Sequence, residues 1–110
     1  MTEEAFRRRV AANEALLREA NEAIERGVWR DEEHRVVRFR CECAQVECNQ
    51  AVELTLTDYE RVRANGRRFV IAPGHERPEV ERVVEQHGAH MVVEKLGEGG
   101  SVAEATDPRD

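Results

Sequence analysis

All three cysteines of this 110-residue chain fall within one stretch of eight residues, Cys41-Glu42-Cys43-Ala44-Gln45-Val46-Glu47-Cys48. Thiolates gathered this closely can converge on one metal ion. Zinc takes four such donors in a tetrahedron, with sulfur at about 2.3 Å and histidine nitrogen at about 2.0–2.1 Å. In an extended segment Cys41 and Cys43 project to the same side, about 6–7 Å apart along the backbone, so a slight bend brings both sulfurs to one ion. The four residues that follow give Cys48 enough chain to fold back. The stretch therefore reads as three-quarters of a zinc site. An odd number of cysteines suits metal binding in a reducing cytoplasm better than a disulfide framework.

The fourth ligand must come from elsewhere, and His34, His75, His87 and His90 compete for it. His75 is the best placed. Ala72-Pro73-Gly74-His75 has the form of a type II turn, with proline fixing the second position and glycine accepting positive φ at the third. That turn would aim His75 after a buried strand. His34 precedes the first strand, His87 falls on the packed face of an expected helix, and His90 sits at a loop end. Three thiolates and one imidazole close the site: no position remains for an activated water, and thiolate charge makes the ion a poorer Lewis acid. The expectation is one structural Zn²⁺ on Cys41, Cys43, Cys48 and His75, with no catalytic residue.

Two alternatives stay open. With water as fourth ligand the chain would be a metalloenzyme with an open zinc position, and Glu42, Glu47 or Glu76 would be the nearby base. A thiol redox switch, releasing zinc when Cys41 or Cys43 is oxidised, is the other. Three Cys and one His also hold certain 2Fe–2S clusters, in the CDGSH-type iron–sulfur proteins. Those place the third cysteine in a Cys-Asp-Gly-Ser-His run, whereas Cys48 is followed by Asn49-Gln50, so that signature is absent.

Several elements must position these side chains. Residues 3–26 predict a helix with Phe6, Val10, Asn13, Leu17, Ala20 and Ile24 spaced as a heptad seam, stopped at Gly27 in a left-handed conformation. Such a narrow seam packs on one partner, either the protein's own sheet or a second chain. Val28–Arg35 is a connector carrying Trp29. From Arg35 the period falls to two, with Val37, Phe39, Cys41 and Cys43 on one side and Val36, Arg38, Arg40 and Glu42 on the other. Val52, Leu54 and Leu56 alternate likewise, so the pair reads as a hairpin whose connection carries the thiols. Thr57-Asp58-Tyr59-Glu60 has the form of a capping box opening a short helix, and Arg67–Ala72 reads as a buried strand. A second helix is expected from Pro78 to Gly88, on the spacing of Val80, Val83, Val84 and His87. A last strand begins at Met91, and Gly97-Glu98-Gly99-Gly100 opens what reads as a disordered tail.

The predicted fold is thus α+β: an N-terminal heptad-patterned helix, then a small β-β-α-β-α-β domain with a Cys3His metal knuckle. Its parts are the helix at 1–27, a connector at 28–35, the metal-binding domain at 36–96 and a tail at 97–110. A core of this size is marginal alone, and a metal cross-link would strengthen it.

Charge narrows the function classes. The net charge of −6 lies wholly in residues 41–110, which carry eight basic and fourteen acidic side chains, while residues 1–40 balance nine against nine. Such a surface disfavours phosphate backbones, so a nucleic-acid role is not expected. No apolar run is long enough to span a bilayer, and Met1-Thr2-Glu3-Glu4 is acidic where a signal peptide is basic, so a cytoplasmic location is expected.

Phe39-Arg40-Cys41-Glu42-Cys43, Cys48, Leu54-Thr55-Leu56, Tyr59-Glu60-Arg61-Val62-Arg63, Arg68-Phe69-Val70 and Pro73-Gly74-His75-Glu76 follow in an order that resembles an uncharacterised family of small proteins from high-GC actinobacteria. The resemblance covers residues 36–96. It departs in the cysteine loop, where the relatives tend towards Gly-Asp-Pro-like residues and this chain has Ala44-Gln45-Val46-Glu47. What it implies is a fold and a metal site, and no activity. The functional expectation is a zinc-stabilised interaction or regulatory module, contacting a protein partner or itself through Phe6, Val10, Leu17 and Ile24.

Overall fold

The computed structural model describes residues 2–27, 34–43 and 48–109, without the side chains of Arg7 and Ala11. Residues 28–33 of the connector, Trp29 among them, and the loop residues 44–47 lie outside the described residues. Helix α1 (Glu3–Arg26) starts where Thr2 Oγ1 accepts the Ala5 N–H at 3.0 Å, with Glu3 and Glu4 in its first turn and Arg26 in its last, charges that suit the helix dipole. It stops at Gly27 as expected, but in a right-handed conformation (φ −86°, ψ −4°), with the glycine N–H donated to Ile24 O at 3.0 Å.

The heptad seam is only half of what α1 buries. Val10 and Leu17 are buried, Phe6 packs with Val10 and Val80, and Ile24 packs against the main core. Beside them Glu14, Arg18, Asn21 and Glu22 are buried as well. Charged groups leave water only when paired, and each of these finds a partner on its own chain. The Lys95 ammonium pairs with Glu14, and Arg18 donates to Gly66 O and Ala103 O, both at 2.8 Å, over the Phe69 ring. Glu22 takes Arg63 Nε at 2.6 Å.

Strands β1 (Val36–Arg40) and β2 (Ala51–Thr55) form the expected antiparallel hairpin, with Val37 opposite Leu54 and Phe39 opposite Val52, all four buried. Leu56 does not continue β2. It opens α2 (Leu56–Arg63), because the cap is Thr55, whose Oγ1 accepts the Asp58 N–H at 3.1 Å, two residues ahead of the anticipated Thr57. Tyr59 of α2 stacks on Phe39 at 4.3 Å between ring centroids. Strand β3 (Arg68–Ile71) follows.

The segment expected as a helix from Pro78 to Gly88 is instead β4 (Glu81–Gln86), which pairs antiparallel with β5 (Met91–Lys95) in a three-stranded sheet of order β3-β5-β4. Val80, Val83 and Val84 fit helical spacing. Val83-Val84 is nonetheless a β-branched pair, and a register shift between Val83 and Glu85 lets the strand stay paired despite the broken alternation. Residues after Leu96, expected as a disordered tail, form α3 (Gly97–Ala105) against α1. The glycines that suggested disorder allow close approach: a Cβ on Gly100 would stand 3.1 Å from Lys95 O and inside contact of Arg67. Among the described residues no helix is long and apolar enough to cross a membrane. The architecture is α+β, a long helix and two small sheets closed by α2 and α3.

Candidate metal centre

The inward side of β1 runs past the end of the strand. Cys41 donates its N–H to Gln50 O at 3.0 Å, extending the hairpin ladder, and Cys41 and Cys43 are buried on the side already taken by Val37 and Phe39. The alternation breaks at Glu42, which the period-two pattern turns outward and the fold turns inward. Its N–H donates to Val70 O at 2.8 Å, and its fully buried carboxylate accepts from Asn21 Nδ2 (2.8 Å), Val70 N–H (2.9 Å) and Tyr59 OH (3.1 Å). Burial pushes the Glu42 carboxyl above its ordinary value, against the pull of these donors. This residue pins the Cys-Glu-Cys segment to α1, α2 and β3 at once.

On the far side, the turn after β3 has the expected form: Gly74 takes φ +90° and His75 N–H donates to Ala72 O at 3.1 Å. The turn aims His75 at the thiols. One ligand atom from each of Cys41, Cys43, Cys48 and His75 lies within 4.8 Å of all the others. His75 Nδ1 stands 3.5 Å from Cys41 Sγ and 3.8 Å from Cys48 Sγ. A tetrahedron with bonds of about 2.3 Å to sulfur and about 2.05 Å to nitrogen has S···N edges of about 3.6 Å. The two distances bracket that edge, so His75 Nδ1 stands from these two sulfurs as it would across an ion of zinc's size. The Ala72 N–H donates to Cys41 Sγ at 3.1 Å, a bond that favours thiolate. Burial alone pushes the Cys41 thiol up, so a cation at the centre is what would keep it ionised.

The other candidates are elsewhere. His34 is exposed, and the rings of His87 and His90 stack at 4.5 Å beside Glu85, which lies 2.8 Å from His87 Nε2. His87 belongs to no helix. Of the bases considered for an open site, Glu47 lies outside the described residues and Glu42 is turned inward into its hydrogen bonds. Glu76 walls a cavity of about 280 Å³ that also touches Cys43, Gly74, His75, Arg77 and Glu79.

Asn21 and Tyr59, which orient Glu42, carried no functional reading from the sequence. Asn13 drew attention as the break in the heptad seam, yet the asparagine that matters is Asn21, one helical face away. It receives the Arg40 N–H at 2.7 Å and donates to both Arg40 O and Glu42. The one signal available was the recurrence of Ala12-Asn13-Glu14-Ala15 as Ala20-Asn21-Glu22-Ala23.

No family model, curated protein or solved structure matches this chain.

Proposed function

We propose that this chain is a small cytoplasmic zinc module whose ion is structural and whose work is protein–protein interaction or regulation. One observation carries the reading: four soft and borderline donors, from the end of β1, the segment before β2 and the β3–β4 turn, lie within 4.8 Å of one another. Bound there, zinc would cross-link three pieces of backbone and leave no fourth position for water. The glutamate between the first two thiols is occupied in anchoring the segment, which supports a fastening role over a catalytic one.

The interaction half of the proposal rests on surface. Leu16 of α1 and Val36 of β1 are the large apolar side chains left exposed among the described residues, at 60% and 56%. Pairing with a second copy through Phe6, Val10, Leu17 and Ile24 would take α1 off its own chain, because Val10 and Leu17 are buried there. Self-association by that seam is therefore an exchange of helices between copies.

Cobalt substitution tests the metal half. One equivalent of Co²⁺ is expected to give the visible spectrum of a tetrahedral three-sulfur, one-nitrogen site, and His75→Ala to weaken it and open a position to water. A spectrum unchanged in His75→Ala would sink the assignment of the fourth ligand.

A further inference from the structure

The short connection between β4 and β5 is closed by a pair of imidazoles that take no part in the donor cluster. His87 N–H donates to His90 O at 2.9 Å, one step beyond the last ladder pair, Gln86 and Met91. The two rings stack at 4.5 Å between centroids, 20° from parallel. Their surroundings differ. His87 is exposed, with Nε2 2.8 Å from Glu85 Oε1, and the same carboxylate oxygen accepts from Arg61 Nη2 of α2 at 3.2 Å. His90 is buried, and its Nε2 has no hydrogen-bond partner among the described residues. We infer that the His87–His90 stack is a proton-operated latch, which holds the β4–β5 turn beside α2 while His90 is neutral and releases it when His90 takes a proton from solvent.

The geometry suits a neutral His90 and not a charged one. A neutral imidazole carries one N–H and one lone pair, whereas an imidazolium carries two N–H donors that both need acceptors. Charging His90 in place would bury a donor at Nε2 with nothing to receive it, and would set a cation against the stacked ring of His87. The charged and titratable groups around His90 are His87 on its own turn, Glu85 of β4, and Asp58 and Arg61 of α2. Asp58 and Glu85 favour a charge on His90. Both are already engaged, since Arg61 lies 3.7 Å from Asp58 and 3.2 Å from Glu85.

The direction of the response follows. Burial first, and repulsion from His87 second, hold the His90 imidazole below its ordinary value of 6.5. A ring turned out into solvent returns to about 6.5, so the open turn takes up the proton before the closed one does. The closed turn is therefore fully favoured above that pH and loses ground as pH falls below it. Release carries His90 into water, breaks the bond from His87 N–H to His90 O, and frees the side of α2 that bears Asp58 and Arg61. The ladder from Gln86 and Met91 onward stays paired.

The test follows the full chain, supplied with one equivalent of Zn²⁺, by NMR from pH 8 to about 5.5, with bound zinc assayed at each step. The His90 ring is expected to titrate with a midpoint below 6.5. Protection of the His87 amide against hydrogen exchange, corrected for the intrinsic rate, is expected to fall by up to about tenfold per pH unit below about 6.5. His90→Phe keeps a ring in the stack but takes no proton, and its protection should not change with pH. His87→Gln, at an exposed position, should move the His90 midpoint up towards 6.5 and shrink the fall in protection. Parallel loss of protection in the wild type and His90→Phe would trace the effect to acid release of zinc or to general unfolding, and overturns the latch. A His90 midpoint at or above 6.5 overturns it as well, as does a His87→Gln chain that matches the wild type in midpoint and protection. Should His90→Phe fail to fold, His87→Gln decides alone.

Discussion

The donor cluster at Cys41, Cys43, Cys48 and His75 and the charged face under α1 both join distant parts of the chain, and they do so with opposite materials. At the cluster, four donors lie within 4.8 Å of one another, an arrangement that could hold a cation. Under α1 the charges satisfy one another. Lys95 lies between Glu14 and Glu81, and Arg63 lies between Glu22 and Asp107. Arg109 reaches Glu22, Glu25 and Glu60 from the end of the chain. With zinc as its centre, the first fastener would depend on something the solution supplies; the second depends on every member staying in place. The two meet at Glu42, which Asn21 of α1 holds from one side while the thiols flank it on the other.

Four outcomes would break or sharpen this contrast. Stripping zinc with a strong chelator is expected to have the largest effect, since structural zinc in small finger peptides is worth about 10–16 kcal/mol. Calorimetry should show the cooperative melt lost or moved far down. An unchanged Tm would mean that the charged face carries the domain alone. Next, Lys95→Met leaves two buried carboxyls without their cation and should cost about 3–5 kcal/mol in urea unfolding, with zinc stoichiometry intact. A simultaneous loss of zinc would show that the two fasteners are not separable.

Asn21→Ala probes the junction. Removing its hydrogen bonds to Arg40 and Glu42 should cost about 1–3 kcal/mol, and chelator competition should show zinc held roughly tenfold less tightly, as for other groups that orient a metal-binding segment. An effect on stability with none on affinity would confine Asn21 to the helix.

The smallest effect is read from pH. Burial, opposed by Lys95, pushes the Glu14 carboxyl from 4.5 up to about 8. The folded chain then keeps a proton that the unfolded chain gives up near 4.5, so stability falls as pH rises through that interval and is lowest above 8. Glu14→Gln should remove this decline. Denaturant midpoints measured from pH 5 to 9 should run flatter in the variant, and parallel curves would show that Glu14 is ionised throughout in the folded state.

How far each region could be read in advance follows the same contrast. The hairpin was legible because Val37, Phe39, Val52 and Leu54 alternate, and the cluster because three thiols share eight residues and Pro73-Gly74 fixes a turn before His75. In each case the cause lies in a few neighbouring residues. The segment at Val80–His87 misled because its valines fit a helical stripe and a bulged strand equally well, and the choice was made by β5, which offers it a backbone ladder. Gly97–Ala105 misled for a related reason. Its glycines argue for disorder in isolation and for tight packing once α1 and Lys95 are beside them.

What the sequence determined by itself, then, was the chemistry: which atoms can hold a metal, which turn delivers the histidine, and that one long helix leads the chain. Those properties are local, set by residue type and by spacings of a few residues. Only the tertiary structure decided that Glu42 faces inward, that Asn21 rather than Asn13 serves it, and that α1 buries Glu14, Arg18 and Glu22 beside its apolar seam. A charge is buried only where its partner already stands, and each of these partners lies at least 17 residues away along the chain.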